Sequence, residues 1–151
     1  MSKLDEISRS RKKAHAKLLA AKSRVYEAFL EMERAAFADG ALPKKQKELI
    51  AIGISVATDC ESCMQWHIEQ AAAAGASERE VFEAVEIGIE MAGGPGTVSA
   101  RFALEVMDST FSGKRGAARP NRRSRPRRRS ARMLRRDATP RRLLGSGLPV
   151  R

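Results

Sequence analysis

The chain is poor in the residues that build sheets, disulfide scaffolds and membrane spans. Only one Trp, one Tyr and five Phe occur among its 151 residues, while Ala, Glu and Lys are plentiful, a balance that favours helix over strand. Through residue 113 nothing alternates polar and apolar for long enough to suggest a sheet. The longest apolar run, Leu49 to Ala57, is interrupted by Gly53 and Ser55. It falls far short of the roughly 20 residues that a bilayer crossing needs, so no membrane role is expected. Residues 1–13 are polar and charged, without the apolar centre of a secretory leader, and a cytoplasmic location is expected. Cysteine is scarce too, with Cys60 and Cys63 the only two. In a reducing compartment such a pair is more often catalytic or metal-binding than structural.

Acidic residues are missing from one region only. Residues 1–113 hold 14 Lys and Arg against 17 Asp and Glu, whereas residues 114–151 hold 15 against the single acid Asp137. The formal net charge of +11 therefore describes neither part: a mildly acidic body carries a very basic tail. Arg119 to Arg136 has almost nothing to bury and is expected to be disordered. An arginine-rich arm binds nucleic acid weakly and salt-dependently through phosphates, but bare basic composition specifies no groove-reading element. A solvated tail without a partner is a second reading. A third is a GC-rich gene read out of frame after Phe111, which yields this mixture of Arg, Pro, Ala, Ser and Gly.

The body divides into short helices. From Leu4 to Phe37 the residues Leu4, Ile7, Leu18, Val25, Phe29, Met32 and Ala36 keep one face apolar, and neither Gly nor Pro appears before Gly40. This predicts one long helix or two consecutive ones, ending near Ala38. A helix opening at Leu42-Pro43, with proline near its first position, runs to about Ala57. It is apolar nearly all round and is expected to be buried on most sides, with Gly53 allowing a close neighbour. Asp59 is the expected N-cap of a helix from Cys60 to Ala74, stopped by Gly75. Ser77 and Glu80 form a capping box for the next, which carries Val81, Phe82, Val85, Ile87, Ile89 and Met91. Gly93-Gly94-Pro95-Gly96 breaks the chain before a last helix from about Thr97 to Asp108. The fold class is all-α, a helical bundle with short loops and mostly antiparallel neighbours. The expected organisation is a helical segment at 1–19, the folded domain at 20–113 and the tail at 114–151. So many apolar faces on so small a body also suggest a homo-oligomer.

Cys60-Glu61-Ser62-Cys63-Met64-Gln65-Trp66-His67 carries the chemistry. On a helix, positions 60, 63 and 67 share one face. A thiol in the first turn has its thiolate stabilised by exposed N–H groups and the helix dipole, which favours Cys60 as the more acidic thiol. Cys63 lies within disulfide reach, and His67, one turn on, is placed to take its proton. Glu48 comes from the preceding helix, where a glutamate in apolar surroundings needs a partner or a proton. Plainer readings stand beside these: two buried thiols acting as small hydrophobes, Glu48 in a surface salt bridge with Lys44 or Lys45, Trp66 in core or interface, and His15 solvated among basic neighbours. Zinc held by Cys60, Cys63 and His67 is disfavoured, because three ligands on one helix close a tetrahedron poorly.

Taken together, Leu42-Pro43, Lys47-Glu48-Leu49-Ile50, Cys60-x-x-Cys63-x-x-x-His67 and the Ala-rich turn at Gly75 resemble the carboxymuconolactone decarboxylase family. The likeness is to the branch typified by alkylhydroperoxidase D, over about residues 20–110. That resemblance implies an all-helical subunit assembling into trimers or hexamers, with peroxiredoxin-type antioxidant activity. It implies that Cys63 attacks the peroxide and becomes a sulfenic acid. Cys60 then resolves it as a Cys60–Cys63 disulfide, reduced by an external thiol protein or small dithiol with no bound cofactor or metal. Glu48 and His67 would form the proton relay. Where the best-known members carry a further relay histidine, just before the second cysteine, this chain has Ser62, which is expected to hold a water in its place. Decarboxylase members lack the cysteine pair, so lactone decarboxylation is the less favoured activity. Two further readings are a CxxC disulfide reductase and a redox-sensing module without peroxide turnover.

Overall fold

The computed structural model describes residues 2–115, with side chains from 2 to 113. Its elements are six helices: α1 (Lys3–Ala20), α2 (Arg24–Phe37), α3 (Lys44–Ala57), α4 (Glu61–Ala73), α5 (Glu78–Ala92) and α6 (Gly94–Arg115). No strand occurs among the described residues, and the all-α class expected from the sequence is the one observed. The disorder expected for the Arg-rich tail lies outside the described residues, apart from Lys114 and Arg115, whose backbone continues α6.

Two signals read in the sequence appear as drawn. Ser77 Oγ accepts from the Glu80 N–H while the Glu80 carboxylate accepts from the Ser77 N–H, the reciprocal cap that starts α5. Gly75, at φ 86°, follows the end of α4 in a conformation that glycine adopts without steric cost.

Other boundaries differ from expectation. The first apolar stretch settles between its two readings as two consecutive helices, because Lys22 takes φ 50° and Ser23 then caps α2, its Oγ accepting from the Tyr26 N–H. Pro43 is the N-cap of α3 and not its first helical residue. The orphan Lys44 N–H donates instead to Asp39 Oδ1 at 2.7 Å. Asp59 is not the cap of α4: it turns the chain at φ 54°, and Cys60 occupies the N-cap position. Proline and glycine do not delay α6, which begins at Gly94, since a proline in the first turn sacrifices no helical hydrogen bond.

The core lies among α3, α4, α5 and α6. Ile52, Val56, Met64, Ile68, Val81, Val85, Val106 and Phe111 are fully buried there, each contributing roughly 1.5–3 kcal/mol relative to exposure. The tightest crossing joins α3 to α5: a Cβ built on Gly88 would stand 2.6 Å from Val56 Cβ and 2.7 Å from the Gly53 carbonyl oxygen. Gly53 allows this approach, as its sequence position suggested, and Gly88 is its unforeseen counterpart. α3 itself is not buried on most sides, however. Glu48, Ile52, Ser55 and Val56 face inward, but Ile50 and Ile54 are more than half exposed. They line an open groove of about 850 Å³ with Ile87 and Met91 of α5. α1 and α2 contain no buried residue. α1 packs on α4, and α2 on α1 and α3. Among the described residues no helix is long and apolar enough to cross a membrane.

Candidate active site

The turn between α3 and α4 sets the site. Cys60 donates its N–H to the Ser55 carbonyl at 3.0 Å and accepts from the Met64 N–H at 2.8 Å, the first bond of α4. Asp59 is pinned from the far side, its Oδ1 accepting from Ser99 Oγ of α6 at 2.6 Å. These bonds hold a non-glycine residue at positive φ immediately before the dithiol. Cys60 occupies the N-cap position but makes no side-chain capping bond, so its sulfur does not satisfy the first-turn N–H groups of α4. The two cysteines are joined as a disulfide with their Cα atoms 5.2 Å apart. The structure is thus the oxidised form of the pair, and both residues are partly accessible.

One turn beyond Cys63, His67 is mostly buried, and its Nδ1 lies 2.8 Å from Glu48 Oε2. Glu48 is 2 % exposed, so the glutamate that needed a partner has found one in the imidazole. Lys44 Nζ stands 4.0 Å from the other carboxylate oxygen, at the edge of salt-bridge range, while Lys45 turns away to Glu80. The salt-bridge reading of Glu48 therefore holds only as a peripheral contact beside the histidine. A carboxylate only accepts, which assigns the Nδ1 proton to His67 and leaves Nε2 as the ring's proton acceptor. Phe37 stacks on the imidazole at 5.3 Å with 25° between planes, fixing the ring from the α2 side.

Cys63, Ser62, Trp66 and His67 line one wall of a cavity of about 440 Å³. The opposite walls come from Tyr26, Phe29, Leu30 and Glu33 of α2 and from Arg11, Lys12 and His15 of α1. Each set falls at the three- and four-residue steps of one helical face. Trp66 is thus a cavity wall more than a core residue: its Nε1 donates to Glu33 Oε1 at 3.1 Å, and Arg11 lies over its ring at 4.7 Å. His15 is exposed but not merely solvated, since its Nδ1 shares a 2.7 Å hydrogen bond with the Tyr26 hydroxyl. Sequence reasoning placed Cys60, Cys63, His67 and Glu48 together, and the structure does bring them to one place. It missed the α1 and α2 walls, whose only sequence signal was the unusual number of apolar positions on α2.

With this geometry in view, the relationships of the chain are informative. The profile of the carboxymuconolactone decarboxylase family matches residues 23–106, a span that takes in α2 to α5 and most of α6 but not α1. Uncharacterized protein 4 of the cox locus of Paracoccus denitrificans is 38% identical over 82 residues, spanning 54% of this chain and 74% of its own length. An uncharacterized protein of Cupriavidus necator is 40% identical over 82 residues, with 54% of this chain and 73% of its own length covered. The apo crystal structure of a carboxymuconolactone decarboxylase family protein from Legionella pneumophila superposes with a TM-score of 0.69 at 31% identity, covering 73% of this chain and 98% of that one. A family member from Thermotoga maritima, for which a part in the antioxidative response has been suggested, gives 0.66 at 22% identity over 74% of this chain and 95% of its own, a likeness of fold alone. The chain belongs to the carboxymuconolactone decarboxylase family.

Proposed function

We propose that the protein is a thiol-dependent peroxidase. The observation that carries this reading is a closed Cys60–Cys63 disulfide on the same cavity as a histidine anchored by a buried glutamate. In the reduced form His67 Nε2 takes the Cys63 proton. The Cys63 thiolate attacks the terminal oxygen of R–O–O–H, the O–O bond breaks, and the departing alkoxide receives the proton from His67. The products are ROH and Cys63 sulfenic acid. Cys60 then attacks the Cys63 sulfur, the S–O bond breaks, and hydroxide leaves as water with the proton released by the Cys60 thiol. The disulfide so formed is returned to two thiols by an external dithiol, which is itself oxidised to a disulfide.

Catalysis needs no bound cofactor in this scheme. Ser62, exposed and on the cavity wall, is the site for a water completing the relay. Lactone decarboxylation is disfavoured because both thiols are present and paired. The presence of Ser62 rather than a second imidazole favours disulfide reduction or redox sensing as the competing reading.

A peroxide-consumption assay with an external dithiol separates them. Sustained turnover by the wild type supports the peroxidase. Disulfide formation after one equivalent, with no further consumption, overturns it in favour of a sensor.

The chain is also proposed to work as a trimer or hexamer of identical subunits. Ile50, Ile54, Ile87 and Met91 stay exposed in the α3–α5 groove, whose rim carries Arg79 beside Glu83 and Glu86. Both signs of charge around an apolar centre suit a surface meeting another copy of itself. Light scattering of the purified protein should give a multiple of the 16.6 kDa chain mass; a monomer at micromolar concentration would remove this part of the proposal.

A further inference from the structure

The cavity over the dithiol has a polarity that the peroxidase chemistry does not require. Its lining is apolar at Phe29, Leu30 and the Trp66 ring and cationic at Arg11 and Lys12 of α1. Arg11 is only partly neutralised: its Nη2 meets Glu69 Oε2 at 3.3 Å, whereas Nη1 is buried and has no hydrogen-bond partner among the described residues. A buried guanidinium nitrogen left unpaired is costly unless an acceptor arrives. The acid on the cavity wall, Glu33, already accepts from the Trp66 indole N–H. α1 lies outside residues 23–106, the segment that the family profile matches.

We propose that the cavity selects an amphipathic hydroperoxide whose apolar chain lies against Phe29, Leu30 and Trp66 and whose carboxylate is held by Arg11 and Lys12. The reacting end of that substrate rests on the peroxidase reading; recognition of an anionic head on an apolar chain does not. Arg11 and Lys12 act as specificity residues, presenting planar and point-charge donors to a carboxylate.

Trp66 is the only tryptophan in the chain and reports binding directly. Titrating the full-length protein with decanoate and, separately, decan-1-ol should change its fluorescence saturably. We expect decanoate to bind about tenfold more tightly, the equivalent of one charge-assisted contact. Arg11→Gln and Lys12→Gln should each shrink that preference, Lys12→Gln without loss of helical circular dichroism because Lys12 is exposed. Equal affinities on the wild type, or a preference that survives both substitutions, would overturn the proposal. A parallel assay compares a fatty-acid hydroperoxide with its methyl ester. Faster consumption of the free acid supports the substrate assignment, and equal rates overturn it. No turnover of either, with the decanoate preference intact, overturns the peroxidase reading while supporting the anionic-ligand site.

Discussion

α3–α6 and α1–α2 are built from similar amphipathic helices but hold together by different means. In the first group apolar side chains interdigitate until Phe111, Ile52, Met64 and Ile68 are sealed from solvent. In the second no residue is buried. α1 packs only the partly buried Leu4 and Ile7 against the core and is tied further by polar contacts: Lys3 to Glu61, Arg11 to Glu69, and Gln65 Nε2 donating to the Leu4 carbonyl at 3.2 Å. α2 is tied by Lys47 Nζ, which donates to the Ala36 and Ala38 carbonyls at its C-terminal end. Exposed ion pairs contribute little to stability, so the first two helices should open more readily than the rest. The division also runs through the candidate site: the bundle carries the dithiol and the Glu48–His67 pair, while α1 and α2 supply the remaining walls of the cavity beside them.

The largest effect should come from within the bundle. Cys63→Ser should abolish peroxide consumption with a dithiol reductant, while Cys60→Ser should consume about one equivalent and stop, because attack survives without resolution. Full activity in the Cys63→Ser protein would reverse the assignment of roles. Next comes Glu48→Gln. An amide keeps the shape but exchanges the anchored charge for a neutral group, so the rate should fall on the order of 10²-fold with an unchanged melting profile. Unaltered kinetics would reduce Glu48 to a structural partner of His67.

The same contrast explains what could be read in advance. α4 and α5 were legible because their signals are local: a capping box at Ser77 and Glu80, and a stop at Gly75. Two consecutive helices from Leu4 to Phe37 were allowed for, but the position of the break was not legible, since the chain turns at Lys22 with no Gly or Pro to mark it, leaving only the capping hydroxyl of Ser23 as a cue. Glu48, Cys60, Cys63 and His67 could be grouped because helical spacing and an antiparallel neighbour suffice to bring them together. Phe37 on His67, or Arg11 on Trp66, depends on how helices cross, which periodicity does not encode. The expectation that α3 is enclosed failed for a related reason: an apolar sequence states what a helix tends to bury, not whether this chain alone supplies the cover. Ile50 and Ile54 are left without it.

Stability should separate the two regions at smaller magnitude. Gly88→Ala drives a methyl into Val56 and the Gly53 carbonyl, and forcing α3 and α5 apart should cost about 1–3 kcal/mol in urea denaturation. Val25→Ser on α2, where the side chain is 83% exposed, should change stability by no more than about 0.5 kcal/mol. A loss at Val25 that matches Gly88, and that depends on protein concentration, would show that a second copy covers α2 and that its exposure belongs to the isolated subunit.

The smallest expected effect lies at the corner joining α3 to α5. The Glu80 carboxyl is held down from 4.5 to about 2, first by its hydrogen bond from Lys45 and then by those from the Ser77 N–H and hydroxyl. A carboxyl whose pKa is lower in the folded state than in the unfolded one adds stability above the unfolded value. That contribution drains away as pH falls through the folded value, here between about 4.5 and about 2. Comparing Tm for the wild type and Glu80→Gln should therefore give a modest wild-type advantage near neutral pH that narrows steadily below pH 4.5. Because the Lys45–Glu80 pair is only partly buried, added salt should weaken the Lys45 share while sparing the capping share from Ser77. An advantage that stayed constant down to pH 2 would mean that Glu80 acts by packing and not by charge, and that even this polar corner is held as the core is.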